Sequence, residues 1–207
     1  MQPDAFSLFQ VSRCPWLEVD PIKSRFLELS SETHPDRFHS AAPEIREEAT
    51  ARYAELNAAF NRLKEIKDRL LHLYELEAGS SPKDIQRIPP GTMDLFVEVG
   101  QTCRDGDTFL QRKAQATSPM LKLQLMQESL DWLERFQTLQ KQVNERRDEL
   151  VAELRQMNSA WENAPAVGDP ERRAALPLER LEQIYRSLSY VDRWTGQLQE
   201  RLVQLAF

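Results

Sequence analysis

Four consecutive residues near the N-terminus, His34-Pro35-Asp36-Arg37, place a ring nitrogen, a rigid backbone position, a carboxylate and a guanidinium side by side. Proline disfavours helical geometry at the residue before it, so we expect a helix to end near His34 and the chain to turn at Pro35 and Asp36. A carboxylate held in an exposed turn can accept a bidentate bond from an arginine of another protein. The motif therefore predicts a recognition element that offers Asp36 to a partner.

The segments on both sides of this turn have the periodicity of helices. Residues 21 to 33 carry Ile22, Phe26 and Leu29 on one face, and a second helix is expected to begin at about Pro43. Apolar residues of the second helical stripe recur at spacings of three and four: Ile45, Ala49, Tyr53, Leu56, Phe60, Leu63, Ile66, Leu70 and Leu73. We therefore predict two antiparallel helices with the His-Pro-Asp turn exposed at their tip.

Gly, Ser and Pro cluster in residues 78 to 91, and neither flanking helical pattern continues across them. We predict an N-terminal domain at 1–78, a linker at 79–91 and a C-terminal domain at 92–207. Two long apolar stripes in the C-terminal part predict an antiparallel bundle of about three helices. They comprise Met126, Leu130, Leu133, Phe136, Leu139, Val143, Leu150, Leu154 and Met157, then Leu181, Ile184, Leu188, Val191, Leu198, Leu202 and Leu205.

Proline also marks the expected helix starts, with Asp20-Pro21 and Ser118-Pro119 predicted as N-cap and first helical residue. No segment alternates β-branched residues over five positions, so the predicted fold class is all-α.

Composition excludes several classes of function. The 207 residues are 41% hydrophobic and 29% charged with a net charge of −6, which is typical of a globular chain and argues against general nucleic-acid binding. The two cysteines, Cys14 and Cys103, form no C-x-x-C pair, and the three histidines have no metal-ligand spacing, so we expect no metal or cofactor. No basic-then-apolar leader and no apolar run of about 20 residues occurs, so we expect a cytoplasmic protein without a membrane partner.

The His34-Pro35-Asp36 tripeptide at a helix–loop–helix tip resembles the signature of J-domains, as do the flanking stretches "DAFSLFQV" and "LNAAFNRLKEIKDRLLHLYE". This resemblance implies a co-chaperone that stimulates ATP hydrolysis by a DnaK/HscA-type chaperone. The chaperone-binding residues that it implies are His34, Pro35, Asp36, Arg37, Lys23 and Arg25. The run "SSET" before the histidine lacks the usual tyrosine and basic residues, so we expect docking that is weaker and less salt-dependent than in related proteins.

A helical C-terminal half, the sequence "HPDRF" and the ending "LVQLAF" together resemble the HscB family of iron–sulfur cluster co-chaperones. The resemblance implies an N-terminal J-domain and a C-terminal three-helix bundle that binds an iron–sulfur scaffold protein of the IscU type. Within "MDLFVEVGQTC" and the last helix, the implied client-binding residues are Leu95, Phe96, Val99 and Tyr190.

Alternatives remain open at this stage. An apolar helical stripe is more often bundle core than interface, so Leu95, Phe96 and Val99 could all be buried. The chain could be a J-domain co-chaperone for a different client, or a helical interaction protein whose J-domain is inactive. No Gly-rich phosphate loop and no nucleophile–base pair occurs, so the ATP must belong to the partner and we do not expect an enzyme.

Overall fold

The computed structural model describes residues 4–82, 88–89 and 91–206, and within these ranges it contains helices and no strand. This confirms the all-α fold class. The α-helices are α1 (Ala5–Phe9), α2 (Val19–Thr33), α3 (Pro43–Lys64), α4 (Ile66–Ala78), α5 (Met93–Gln115), α6 (Pro119–Glu162), α7 (Arg172–Ala175) and α8 (Leu178–Ala206), with a 3₁₀ helix at Pro35–Phe38. Among these helices, none is both long enough and apolar enough to cross a membrane.

The chain divides into two compact units: Met1–Lys83 with Glu153–Tyr185, and Asp84–Ala152 with Arg186–Phe207. The first unit thus includes the end of α6, all of α7 and the beginning of α8. The domain boundaries predicted from the sequence, 1–78, 79–91 and 92–207, stay a prediction. Residues 83–87 and 90 of the predicted linker lie outside the described residues.

The core of the first unit forms where α1 and α4 pack against the hairpin of α2 and α3. Phe26 of α2 stacks on Phe60 of α3 with ring centroids 4.4 Å apart. Phe6 of α1 is fully buried and stacks on His72 of α4, whose Nε2 accepts a hydrogen bond from the Ala5 backbone N–H at 3.0 Å. The buried histidine therefore fixes the beginning of α1 to α4.

Helix starts agree with the proline positions in two cases and differ in one. As predicted, α3 begins at Pro43 and α6 begins at Pro119, where the Ser118 hydroxyl accepts the Leu121 N–H at 3.2 Å. The predicted start of α2 at Pro21 is wrong, because the helix begins two residues earlier at Val19. Proline is tolerated at this third position because the first four N–H groups of a helix have no intrahelical partner.

Residues 153–185 are held against the N-terminal helices of the same unit by polar contacts. The Asn158 side-chain amide pairs with the backbone of Trp16, accepting its N–H at 2.9 Å and donating to its carbonyl at 2.8 Å. Glu77 at the end of α4 accepts two 2.8 Å bonds from Arg172 of α7. Both charged side chains are nearly fully buried, so this pair is a buried, bidentate ion pair.

In the second unit, α5 and α6 approach closely at Gly106, where a Cβ atom would collide with the ring of Phe136. Phe136 is fully buried and lies beside the Trp132 ring, 5.6 Å between centroids. The beginning of α6 differs from the predicted core stripe, because Met126 is 60% exposed and Leu130 is 51% exposed. The packed part of α6 in this unit therefore begins near Trp132, although Leu125 is also buried.

Candidate functional site

The His-Pro-Asp turn has a defined geometry that begins with His34. This residue follows the last residue of α2 and has φ −59° and ψ 129°, as expected before a proline. Its Nδ1 accepts the backbone N–H of Asp36 at 3.3 Å, so the imidazole caps the 3₁₀ helix that begins at Pro35. The histidine and the proline thus fix the backbone on which the Asp36 side chain is mounted.

The Asp36 carboxylate points into solvent, with 91% of its side-chain surface exposed. The His34 Nδ1 lies 3.5 Å from its Oδ2. In this arrangement that nitrogen accepts the Asp36 N–H and does not donate to the carboxylate. The carboxylate of Asp36 is therefore accessible to another protein.

Tyr53 supports the turn from α3, although sequence reasoning assigned it only to a core stripe. Its ring contacts the His34 ring edge to face, with 5.1 Å between centroids and an interplanar angle of 72°. On the other side of the turn, the His39 Nδ1–H donates to the Asp36 carbonyl at 2.9 Å. The imidazole of His34 is thus held by ring packing as well as by its hydrogen bond.

The basic residues predicted to bind the chaperone differ in the hydrogen bonds and ion pairs that they form within the chain. Arg37 donates to the Ser31 carbonyl at 3.0 Å, near the C-terminal end of α2. Arg25 pairs with Glu28 at 2.9 Å and also donates to Gln10 at 3.0 Å. Lys23 is exposed, one turn before Leu27, which is 57% exposed. Leu27 is an exposed apolar side chain that the sequence analysis did not single out.

The four predicted client-binding residues are divided between surface and core. Phe96 is 38% exposed and Leu95 is half-buried, whereas Val99 is only 1% exposed and lies in the core of the second unit. Tyr190 of α8 is mostly buried and meets the Phe96 ring nearly perpendicularly at 6.0 Å. The structure therefore brings Phe96 and Tyr190 together and turns Val99 inward.

The exposed apolar surface of α5 consists of Met93 (53% exposed), Phe96 and Val97 (58% exposed), which we call the α5 patch. Their spacing of three and four places them on one helix face. The exposed acids Asp94 and Glu98 lie beside them in sequence. The sequence analysis missed Met93 and Val97, because Leu95 and Val99 satisfy the helical spacing equally well.

The thiols and potential metal ligands show no such grouping. Among the described residues, no three His, Cys, Asp or Glu side chains come together as a metal site requires. Cys103 is buried in the second unit. The Cys14 thiol donates to the Trp16 carbonyl, and burial raises its pKa to about 11, so it is protonated near neutral pH.

No protein-family model matches the sequence. Solved structures of one class of protein do resemble it. The structure of chaperone HscB from Vibrio cholerae matches with a TM-score of 0.64 and 16% identity, covering 98% of this chain and 99% of that chain. The human co-chaperone HscB matches with a TM-score of 0.62 and 16% identity, covering 96% of this chain and 81% of that one.

These likenesses show that the chain has the fold of the HscB structures. The HscB-type, all-helical fold predicted from the sequence is thereby confirmed.

Proposed function

We propose that this protein is a cytoplasmic J-domain co-chaperone. It stimulates ATP hydrolysis by a DnaK/HscA-type chaperone and delivers an IscU-like iron–sulfur scaffold protein to it. The observation that carries this proposal is the exposed Asp36 carboxylate at the tip of a helical hairpin, in a chain with the HscB fold. Iron–sulfur clusters enter here as cargo of the scaffold protein.

Each residue of the tip has a separate task. Asp36 accepts a charge-assisted hydrogen bond from an arginine of the chaperone, which contributes about 1.5–3 kcal/mol. His34 and Pro35 hold the backbone that carries this carboxylate. Lys23 and Leu27, on the outer face of α2, provide a cation and an apolar contact for the acidic chaperone surface. Arg25 and Arg37 contact the chaperone through those guanidinium N–H groups that are not used in their hydrogen bonds within the chain.

The α5 patch, together with Tyr190, which contacts Phe96, and the half-buried Leu95 of the same helix, is the proposed binding surface for the scaffold protein. Exposed apolar side chains that cluster on one helix face are typical of a protein interface. Val99 contributes indirectly, because its packing in the core sets the rotation of α5 and so determines which residues face outward.

Single-turnover ATP hydrolysis by the DnaK/HscA-type chaperone of the same organism tests the first part. We expect Asp36→Asn to lose most of the stimulation, about tenfold or more, because the neutral amide cannot replace the charged acceptor. Asp148→Asn is a matched control, since Asp148 is also an exposed aspartate but lies on α6. Full stimulation by Asp36→Asn, at unchanged helicity, would exclude the proposed role.

A J-domain co-chaperone for a different client is the second candidate. It is favoured by one observation, namely that Val99 is buried and that the exposed surface is formed by Met93, Phe96 and Val97 instead. Calorimetric titration with an IscU-type scaffold separates the two candidates. The first predicts binding that Phe96→Ala weakens about tenfold and Val167→Ala leaves unchanged. No binding by the intact protein, together with intact ATPase stimulation, would select the second.

A further inference from the structure

A second apolar surface lies where the end of α5, the beginning of α6 and the end of α8 meet within the second unit. These segments enclose an open groove of about 1000 Å³. One wall is formed by Leu123 (71% exposed), Met126 (60%) and Leu130 (51%), and the opposite wall includes Val203 (47%). We call this surface the α6 groove. It is distinct from the α5 patch and from the His-Pro-Asp turn.

The exposed stripe is not needed for the internal packing of α6. Leu125, the buried apolar residue of this part of the helix, is 7% exposed and also lines the groove. Leu123, Met126 and Leu130 follow the spacing i, i+3, i+7 on another face, as anchors of a helix-to-helix contact do. So much exposed apolar surface in one place usually marks a binding site.

The titratable side chains that line the α6 groove are both cationic. Its titratable lining residues are Lys113 and Lys122, and no Asp or Glu is among the described residues that line it. This is unusual in a chain with a net charge of −6. The Lys113 ammonium donates to the Leu205 carbonyl at 2.7 Å and so offsets the partial negative charge at the end of α8. The N-terminus of α6 at Pro119 adds partial positive charge at the same rim.

We infer that the α6 groove binds an amphipathic helix of a partner protein whose apolar face is flanked by Asp or Glu. The apolar wall matches the hydrophobic face of such a helix, and the lysine rim matches its acidic flank. Two copies of this chain meeting through the groove would instead bring their Lys113 and Lys122 side chains together, which like-charge repulsion opposes. Met126, with its flexible side chain, allows the wall to adapt to the bound helix.

The length of the wall sets the length of the bound segment. Leu123 and Leu130 are seven positions apart, or about 10 Å along the helix axis at 1.5 Å per residue. This corresponds to about two turns of the partner helix. The partner therefore needs about three apolar anchors at i, i+3 or i+4, and i+7.

A fluorescein-labelled synthetic peptide of about 18 residues, with leucines at that spacing and glutamates flanking them, provides the probe. Fluorescence anisotropy against the full-length protein should show binding that weakens as salt is raised. Met126→Asp should weaken it about tenfold or more, and Lys122→Glu about threefold with a smaller salt dependence. Val167→Asp is the matched control, since Val167 is 59% exposed and belongs to the first unit.

Several outcomes would overturn the inference. The first is that the intact protein does not bind the peptide. The second is that a peptide of the same composition in scrambled order binds equally well, and the third is that both groove variants bind the peptide as the intact protein does. Binding to phosphatidylserine vesicles without binding to the peptide would assign the groove to a membrane surface instead. A dimer in sedimentation velocity that Met126→Asp dissolves would assign it to a second copy. Lys122 is exposed, so Lys122→Glu keeps the test valid even if Met126→Asp unfolds the protein.

Discussion

Gly106 and Gly196 lie inside helices of the same unit, yet replacing each by alanine should change stability in opposite directions. A Cβ on Gly106 would collide with Phe136, whereas a Cβ on Gly196 would meet no atom within 4 Å. The Phe136 ring cannot withdraw, because it is fully buried and lies against Trp132. Overpacking of this kind costs about 1–3 kcal/mol, while the gain in helix propensity from glycine to alanine is about 1 kcal/mol.

The net effect is therefore a loss of about 1 kcal/mol for Gly106→Ala and a gain of 0.5 to about 1 kcal/mol for Gly196→Ala. For a chain of this size, a difference of about 2 kcal/mol corresponds to roughly 4–8 °C in Tm. Thermal unfolding followed by circular dichroism measures this separation. Adding Phe136→Leu to Gly106→Ala should recover part of the loss, because the smaller side chain leaves room for the new methyl group. If Gly106→Ala stabilises the protein as much as Gly196→Ala does, the close approach of α5 and α6 is refuted.

Two further changes probe the first unit. Glu77→Gln should destabilise the first unit by about 3 kcal/mol in urea unfolding, because the buried Arg172 charge is then left without its carboxylate. The double variant Glu77→Gln/Arg172→Met should lose less stability than Glu77→Gln alone, because it removes the unpaired charge. If the double variant loses as much as the single one, the cost does not come from the unpaired charge. Burial lowers the pKa of His72, whose neutral Nε2 accepts the Ala5 N–H. The contribution of His72 to the free energy of unfolding is therefore complete above the unfolded pKa of about 6.5, and it is lost as pH falls through the lower folded pKa. His72→Gln should flatten this part of the pH profile of unfolding, and an unchanged slope would contradict the assignment.

The backbone of the turn was predictable because local chemistry determines it. Pro35 ends α2 at Thr33, with His34 as the C-cap, and Pro43 is the first residue of α3. Both effects operate over one or two residues and need no tertiary information. The same reasoning misplaced the start of α2, because the first turn of a helix accepts proline at more than one position.

Periodicity alone could not determine which face of α5 is exposed. The segment "MDLFVEV" has apolar residues on two sides, so the pair Leu95 and Val99 satisfies helical spacing as well as Met93, Phe96 and Val97 do. The packing of the unit decided between them by burying Val99. Likewise, the ion pair of Glu77 with Arg172 joins residues 95 positions apart, and local patterns carry no information on such a pairing.

The double hydrogen bond of Asn158 to Trp16 has a mechanical consequence. Asn158 belongs to α6, so its side chain attaches the loop between α1 and α2 to this long helix. It does so by bonding both the N–H and the carbonyl of Trp16. A force applied to the hairpin of α2 and α3 would therefore reach residues 153–162 of α6, which lie in the same compact unit, through these two hydrogen bonds.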